Sequence, residues 1–262
     1  MRTVEHMLPK RSTRLDRWKP VTAKPVEAMR AQYDLMASRQ EGRYRSRFDP
    51  AILERFPETR EKFRRFFEAM IGPVRPELVL DLGCGTGLYH PVLAPLVVKL
   101  VGVDSSPEML NRARQLSDDL SLGTELVPGS AENLPFRDAT FDLVIAYDVL
   151  HHVREIRAVA EEVRRVLKPG GRFVAAETTM LFPWVMAYNL FHREEWGLLR
   201  IRPGYLKRAF RSFARFELHP DNTRFFPHAP ILDRAFGVLE KYVLRGPLRM
   251  VAARYVIEAT SQ

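Results

Sequence analysis

Three glycines at alternate positions, Gly83, Gly85 and Gly87, follow directly on a short apolar run that carries one acid, Asp81. Glycine lacks the side chain that would hold a ligand off the backbone, and it tolerates the positive φ of a tight strand-to-helix turn. The run VLDLGCGTG, residues 79–87, is therefore expected to be a nucleotide-binding turn. Asp104, seventeen residues after Gly87, closes a second apolar run, LVGVD, where a doubly wound fold places the acid that holds ribose hydroxyls. Further along, His151 and His152 follow FDLVIAY, and Glu177 ends RFVAAE. Histidine titrates nearest neutrality and is suited to taking a proton from a phenol, enol or amine. Two adjacent histidines at one strand exit cannot both face a site, so one is expected to be catalytic and the other structural; the alternative is that both only cap and pack. Glu177 could orient a histidine from behind or bind a cationic group of a substrate.

The spacing separates two ligands. Dinucleotide turns need GxGxxG, with the third glycine on the first helical turn; here the pattern is GxGxG, and Leu88 stands where that glycine would be. Asp81 would also repel a pyrophosphate, whereas a ligand carrying an ammonium and a sulfonium would be attracted. The turn thus favours S-adenosylmethionine over NAD. Four further blocks follow in order: VGVDSSPEML (102–110), GSAENLPF (129–136), FDLVIAYDVLHHV (141–153) and VLKPGGRFVAAE (166–177). With them the chain resembles the class I S-adenosylmethionine-dependent methyltransferases, over roughly residues 75–180.

That resemblance implies specific roles. Gly83, Gly85 and Gly87 would cradle the methionine part of the cofactor, and Asp81 would address its ammonium or only fix the loop. Asp104 would accept both ribose hydroxyls, with Ser105 beside it, and Met109 would lie against the adenine or in the core. The family commonly has an acid after the glycine of the third block, and this chain has Ser130. Adenine recognition is then expected from the Ser130 hydroxyl and the Ala131 backbone, with Glu132 as a substitute acid. Ala146 and Tyr147, at the end of the fourth strand, count among the cofactor contacts. AQYDLMASR resembles the helix that folds over the cofactor in many small-molecule methyltransferases, with Tyr33 as its contact. AYDV (146–149) is not the Asn/Asp-Pro-Pro-aromatic tetrad of methylases acting on base or protein amides, which disfavours a nucleobase-amine target.

Acceptor identity must lie outside the shared core. MLFPWVMAYNLF (180–191) is apolar and aromatic, so Trp184, Tyr188, Phe191 and Trp196 are candidate pocket walls, or a helix packed on its own domain. A second insertion, about 224–248, adds another amphipathic helix. Two apolar lids flanked by arginines suit a small lipophilic or aromatic acceptor presented at a membrane surface.

Composition agrees with one α/β domain. The chain has 262 residues, 46% of them hydrophobic, and one cysteine, Cys84, so no disulfide can form within it and a reducing, cytoplasmic setting is expected. No His/Cys cluster has zinc-ligand spacing, so no metal is expected. No run of about 18 uncharged apolar residues suggests a membrane span. The net charge is +9, distributed as +6 over residues 1–50, −5 over 51–153 and +8 over 154–262. The basic flanks keep open an RNA-modifying or nucleic-acid-binding protein, although no specific nucleic acid is expected; a non-catalytic cofactor-binding scaffold is a further alternative.

The elements that must position these groups can be read from periodicity. Residues 1–24 are expected to form a flexible basic arm and, by the resemblance, 25–262 a single methyltransferase domain with a cofactor core at about 75–180 and insertions at about 180–203 and 224–248. Helices are expected near 26–40, 50–71, 86–94, 107–116, 157–168 and 205–213. Strands are expected at 78–82, 98–103, 124–128, 141–147, 172–177 and 249–260. FDLVIAY lacks alternation, as a central parallel strand covered on both faces should. Alternating strands and helices give a Rossmann-like, doubly wound, mostly parallel sheet with helices on both faces and helical lids; by resemblance it has seven strands, the last antiparallel.

Overall fold

The computed structural model of the chain describes Leu53 and residues 55–179, 193–221 and 254–261, with the backbone alone for 193–196. The arm at 1–24, the helix near 26–40 and the insertion 224–248 lie outside these residues. So do Tyr33, Trp184, Tyr188, Phe191 and the side chain of Trp196.

Helix α1 (Pro57–Ile71) precedes β1 (Leu78–Leu82), the short α2 (His90–Leu93), β2 (Lys99–Asp104), α3 (Pro107–Asp119), β3 (Glu125–Pro128) and β4 (Phe141–Tyr147). Then come α4 (Ile156–Val166), β5 (Leu167–Thr178), a 3-10 segment (Arg193–Arg200), α5 (Pro203–Ala209), β6 (Arg215–Asp221) and β7 (Arg254–Thr260). The strands form one seven-stranded sheet in the order β3-β2-β1-β4-β5-β7-β6. β1 pairs in parallel with β2 and β4, as do β2 with β3 and β4 with β5, while β7 runs antiparallel between β5 and β6. This is the doubly wound, mostly parallel sheet expected, with its reversed final strand.

The apolar run of β4 is buried on both faces. Leu143 and Ile145 pack with Phe63, Phe67 and Met70 of α1, and Val144 and Ala146 join the cluster that holds Val159, Val163 and Val166 of α4. That α4 stripe recurs at three- and four-residue spacing, so one helical face covers the sheet; each fully buried valine contributes at most about 1.5 to 3 kcal/mol. Arg172 of β5 donates to the carbonyls of Ile71 and Met70, closing the C-terminus of α1.

Several boundaries differ from the sequence expectation, and β6 at Arg215–Asp221 is a strand that the periodicity did not single out. The helix expected at 86–94 contracts to His90–Leu93 plus a 3-10 turn at Ala94–Leu96, because Gly85 and Gly87 hold positive φ up to its start and Pro91 and Pro95 cannot donate. α4 ends at Val166 rather than 168. β5 begins at Leu167, and a register shift between Phe141 and Leu143 of β4 accommodates Pro169-Gly170-Gly171, with Gly170 at φ +74. The helix expected at 205–213 spans 203–209, with Pro203 in its first turn.

Candidate active site

The glycine turn and the histidine loop both leave the sheet at the carboxyl ends of their strands, the edge at which open α/β sheets bind ligands. Gly83, Gly85 and Gly87 all have positive φ, at +70, +55 and +71. Two of them are also closely packed: a Cβ on Gly83 would meet Val149 at 2.7 Å, and one on Gly87 would meet His90 Nδ1 at 2.9 Å. Around Gly85, by contrast, a Cβ would meet nothing within 4 Å among the described residues, so this backbone leaves room for a ligand to approach.

Asp104 spans the turn. Its Oδ2 accepts from Gly85 N and its Oδ1 from Ser106 N, both at 2.9 Å. Each oxygen retains a second lone pair for a hydroxyl donor. Burial raises the carboxyl above its ordinary value, and the Ser106 and Gly85 N–H donors oppose that shift. Ser106 caps α3 by accepting from Met109 N, with Pro107 behind it and Glu108 in the first turn. Asp81 is 6% exposed and its Oδ2 lies 3.0 Å from Nε2 of the fully buried His90. Its partner is thus a histidine that the sequence reading did not single out, with no signal beyond a short spacing across the turn. Cys84 is buried and its thiol is pushed well up by burial, then by Asp104 and Asp81, which leaves it unreactive.

At the histidine end, β4 is followed directly by Asp148, a non-glycine residue at φ +54. Its Oδ1 accepts from Thr178 N at 2.9 Å and Thr178 Oγ1 at 2.8 Å, and its Oδ2 pairs with Arg254 at 3.0 Å. Burial pushes this carboxyl up, but Arg254, His151 and the Thr178 donors outweigh it and hold it below the ordinary range. Glu177, with no exposed surface, accepts from Val149 N at 2.7 Å and Leu150 N at 2.6 Å through Oε1, and meets His151 Nδ1 at 2.8 Å through Oε2. The His152 ring lies against that of His151, tilted by 46° with centroids 3.8 Å apart. The two histidines therefore differ in their contacts, one held by the acid and the other against its ring.

Asp148, His151 and Glu177 each offer a ligand atom within 4.8 Å of the others. A metal there would have to displace the donors named above, so the cluster reads as a hydrogen-bonded network.

The same loop is held from its other side. Arg200, in the segment after β5, donates to the carbonyls of Arg154 at 2.6 Å, Val153 at 2.6 Å and His151 at 3.1 Å. Gly197 packs so close that a Cβ would fall 1.6 Å from His151 O. Tyr205 donates to Glu155, and Glu132 accepts from Glu155 N at 2.8 Å. Glu132 is thus tied to the 154–155 loop, with its carboxyl raised by burial against the Glu155 and Arg154 N–H groups. Its assignment to adenine has no support in this geometry. Ser130 Oγ accepts from Glu132 N within its own turn, and Ala131 packs against the core. Met109 is 2% exposed, so its side chain lies in the interior. Ala146 is fully buried, and the Tyr147 ring sits among Phe63, Phe66, Phe67 and Tyr89 with the Arg254 guanidinium 4.4 Å above its centroid. Burial pushes the Tyr147 phenol far up, and Arg254 donates to its oxygen. Sequence reasoning missed Asp148, Arg200 and Arg254; only a lone polar residue after FDLVIAY hinted at the first.

The architecture and the two-ended site define a class. A family model described as "Methyltransferase domain" matches residues 80–175. The demethylmenaquinone methyltransferase of Oceanobacillus iheyensis is 33% identical over 166 residues, covering 61% of this chain and 67% of that protein. That of Bacillus licheniformis is 35% identical over 153 residues, covering 56% of this chain and 63% of its own length. Among solved structures, YcgJ of Bacillus subtilis superposes with TM-score 0.52 at 19% identity, covering 78% of this chain and 99% of its own. Phosphoethanolamine N-methyltransferase 2 of Haemonchus contortus, solved with S-adenosyl-L-methionine, gives TM-score 0.59 at 16% identity over 77% of this chain and 52% of its own. At those identities the structural likeness speaks for the fold. The chain belongs to the class I S-adenosylmethionine-dependent methyltransferases. It is a methyltransferase whose cofactor is S-adenosylmethionine, and the open backbone at Gly85 beside the Asp104 carboxylate fits that group.

Proposed function

We propose that this protein methylates a small lipophilic acceptor, with His151 as the general base and Glu177 as the residue that positions it. The observation that carries this reading is the Glu177 carboxylate, which is fully buried and bonded at once to His151 Nδ1 and to the two N–H groups that begin the loop. S-adenosylmethionine, when bound, supplies an already activated methyl group. Gly85 leaves the backbone of the turn accessible to it, Asp104 accepts its ribose hydroxyls, and Asp81, backed by His90, attracts its ammonium. With Nδ1 committed to Glu177, the acceptor's proton goes to His151 Nε2, and the buried carboxylate stabilises the imidazolium that results. His152 packs against the ring rather than exchanging protons. Orientation of acceptor and methyl then supplies much of the acceleration.

The acceptor class rests on relatives named demethylmenaquinone methyltransferase, whose name describes a quinone substrate, and on the apolar run at 180–191. Such an acceptor resides in a bilayer, so the reading carries with it a peripheral contact with membrane. The test replaces each histidine by alanine and follows turnover on a hydroquinone acceptor beside S-adenosylhomocysteine affinity. His151→Ala should lower turnover about 10²- to 10⁴-fold, His152→Ala far less, with cofactor affinity kept in both. Normal turnover in both variants would reduce catalysis to positioning and return the histidines to a structural role.

A further inference from the structure

The stretch 197–216 holds six basic residues and no acid. Two of the six are occupied: Arg200 grips the histidine loop, and Arg215 pairs with Glu217. The other four, Arg202, Lys207, Arg208 and Arg211, are exposed and make no hydrogen bond or ion pair with any described residue. Their placement follows from burial. Leu206, Ala209, Phe210 and Phe213 point into the core, so Lys207, Arg208 and Arg211 occupy the opposite side of α5 and its exit. Leu199, 43% exposed, puts an apolar side chain on the same segment. Four cations exposed on one stretch with no ion pair to any described residue repel one another, and that repulsion is relieved against an anionic surface.

We propose that this face, Leu199 with Arg202, Lys207, Arg208 and Arg211, is where the protein docks on an anionic lipid bilayer. The inference rests on the lipophilic-acceptor reading and gives it a place on the molecule. The outer side of the segment meets headgroup phosphates while its inner side, through Arg200 and Gly197, holds the His151 loop, so docking sets the catalytic end of the cleft beside the membrane. A bilayer suits the face better than a nucleic acid does. Single-stranded binding needs exposed aromatic platforms, and here Phe210 and Phe213 are buried while Tyr205 is half-buried and bonded to Glu155. An exposed leucine among cations can enter the interface, as in peripheral membrane proteins.

The experiment is co-sedimentation of the full chain with phosphatidylcholine vesicles, with and without phosphatidylglycerol, beside calorimetric titration with S-adenosylhomocysteine. Binding is expected only to the anionic vesicles and should fade with added salt. The charge reversal K207E/R208E/R211E should lower partitioning by about 10²-fold or more, since each basic residue near such a surface contributes roughly fivefold, with thermal melting and S-adenosylhomocysteine affinity kept. The milder K207Q/R211Q covers the case in which the reversal does not fold, and it should lower partitioning roughly 25-fold. Equal binding to neutral vesicles, unchanged binding by folded variants, or tight RNA binding with no vesicle binding would each overturn the docking surface. A protein that binds S-adenosylhomocysteine but ignores vesicles loses this face and keeps its methyl-transfer reading. One that binds anionic vesicles but not S-adenosylhomocysteine loses the methyl-transfer reading instead.

Discussion

The two ends of the cleft are built by opposite means. At the glycine turn, backbone conformation does the shaping, and the acid Asp104 is held by N–H groups of its own βα turn and of the adjacent one. At the histidine loop, side chains do it: Glu177 reaches N–H groups 27 and 28 residues earlier in the chain, and Arg200 grips carbonyls 46 to 49 residues away. The charges differ in the same sense. Asp104 is raised by burial, whereas Asp148 is held low despite burial because Arg254, His151 and Thr178 surround it. A cofactor end meets one invariant ligand and can be assembled from a local turn. An acceptor end must match one particular substrate, and it hangs on partners contributed by several elements.

The sharpest way to break that contrast is Glu177→Ala. It strands two buried N–H groups and the His151 ring together, and should destabilise the protein by about 3 to 5 kcal/mol in urea unfolding while also abolishing turnover. A loss below 1 kcal/mol would show that the loop does not depend on this carboxylate. Next comes Asp104→Ala, expected to weaken S-adenosylhomocysteine binding by about 1.5 to 3 kcal/mol in calorimetry; unchanged affinity in the folded variant would remove its role. Arg200→Ala should cost about 1 to 3 kcal/mol of stability and speed amide exchange over residues 151–155, leaving the glycine turn unaffected. Protection lost equally at both ends would mean that they are one cooperative unit.

The smallest effect is in pH. Asp104 accepts on both oxygens with charge assistance only when ionised, so S-adenosylhomocysteine affinity should fall with acidification from a pH above the ordinary carboxylate value of 3.8, and Asp104→Asn should flatten that limb. In the protein without ligand the sign reverses. A carboxyl raised by folding binds its proton more tightly in the folded chain, so its contribution to stability grows as pH falls through the raised value. Asp148 behaves oppositely: lowered by folding, it stabilises above the ordinary value, and that stability is lost as pH falls through its depressed one. Asp104→Asn and Asp148→Asn should therefore change the acid limb of stability in opposite directions, which denaturant titration across pH 3 to 6 would read.

Much of the fold was legible because its signals are local. The uniform apolar run of FDLVIAY announces a strand covered on both faces, the α4 stripe repeats at helical spacing, and Ser106-Pro107-Glu108 marks a helix start within three residues. The glycine turn is legible for the same reason, since positive φ at Gly83, Gly85 and Gly87 is a property of single residues. Boundaries were less so. Gly170 reads as a helix stop, yet tertiary pairing draws Leu167 to Gly171 into β5 through a bulge.

By itself the sequence determined the class of fold, the cofactor turn and the presence of a histidine pair with an acid near it, because spacing and residue type carry that information along the chain. Only the tertiary structure decided which histidine that acid holds, that Glu132 belongs to the loop at 154–155, and that Arg200 and Arg254 support the acceptor end. Those contacts join residues 23 to 107 positions apart. Their geometry exists only once the sheet has fixed its strand order and register.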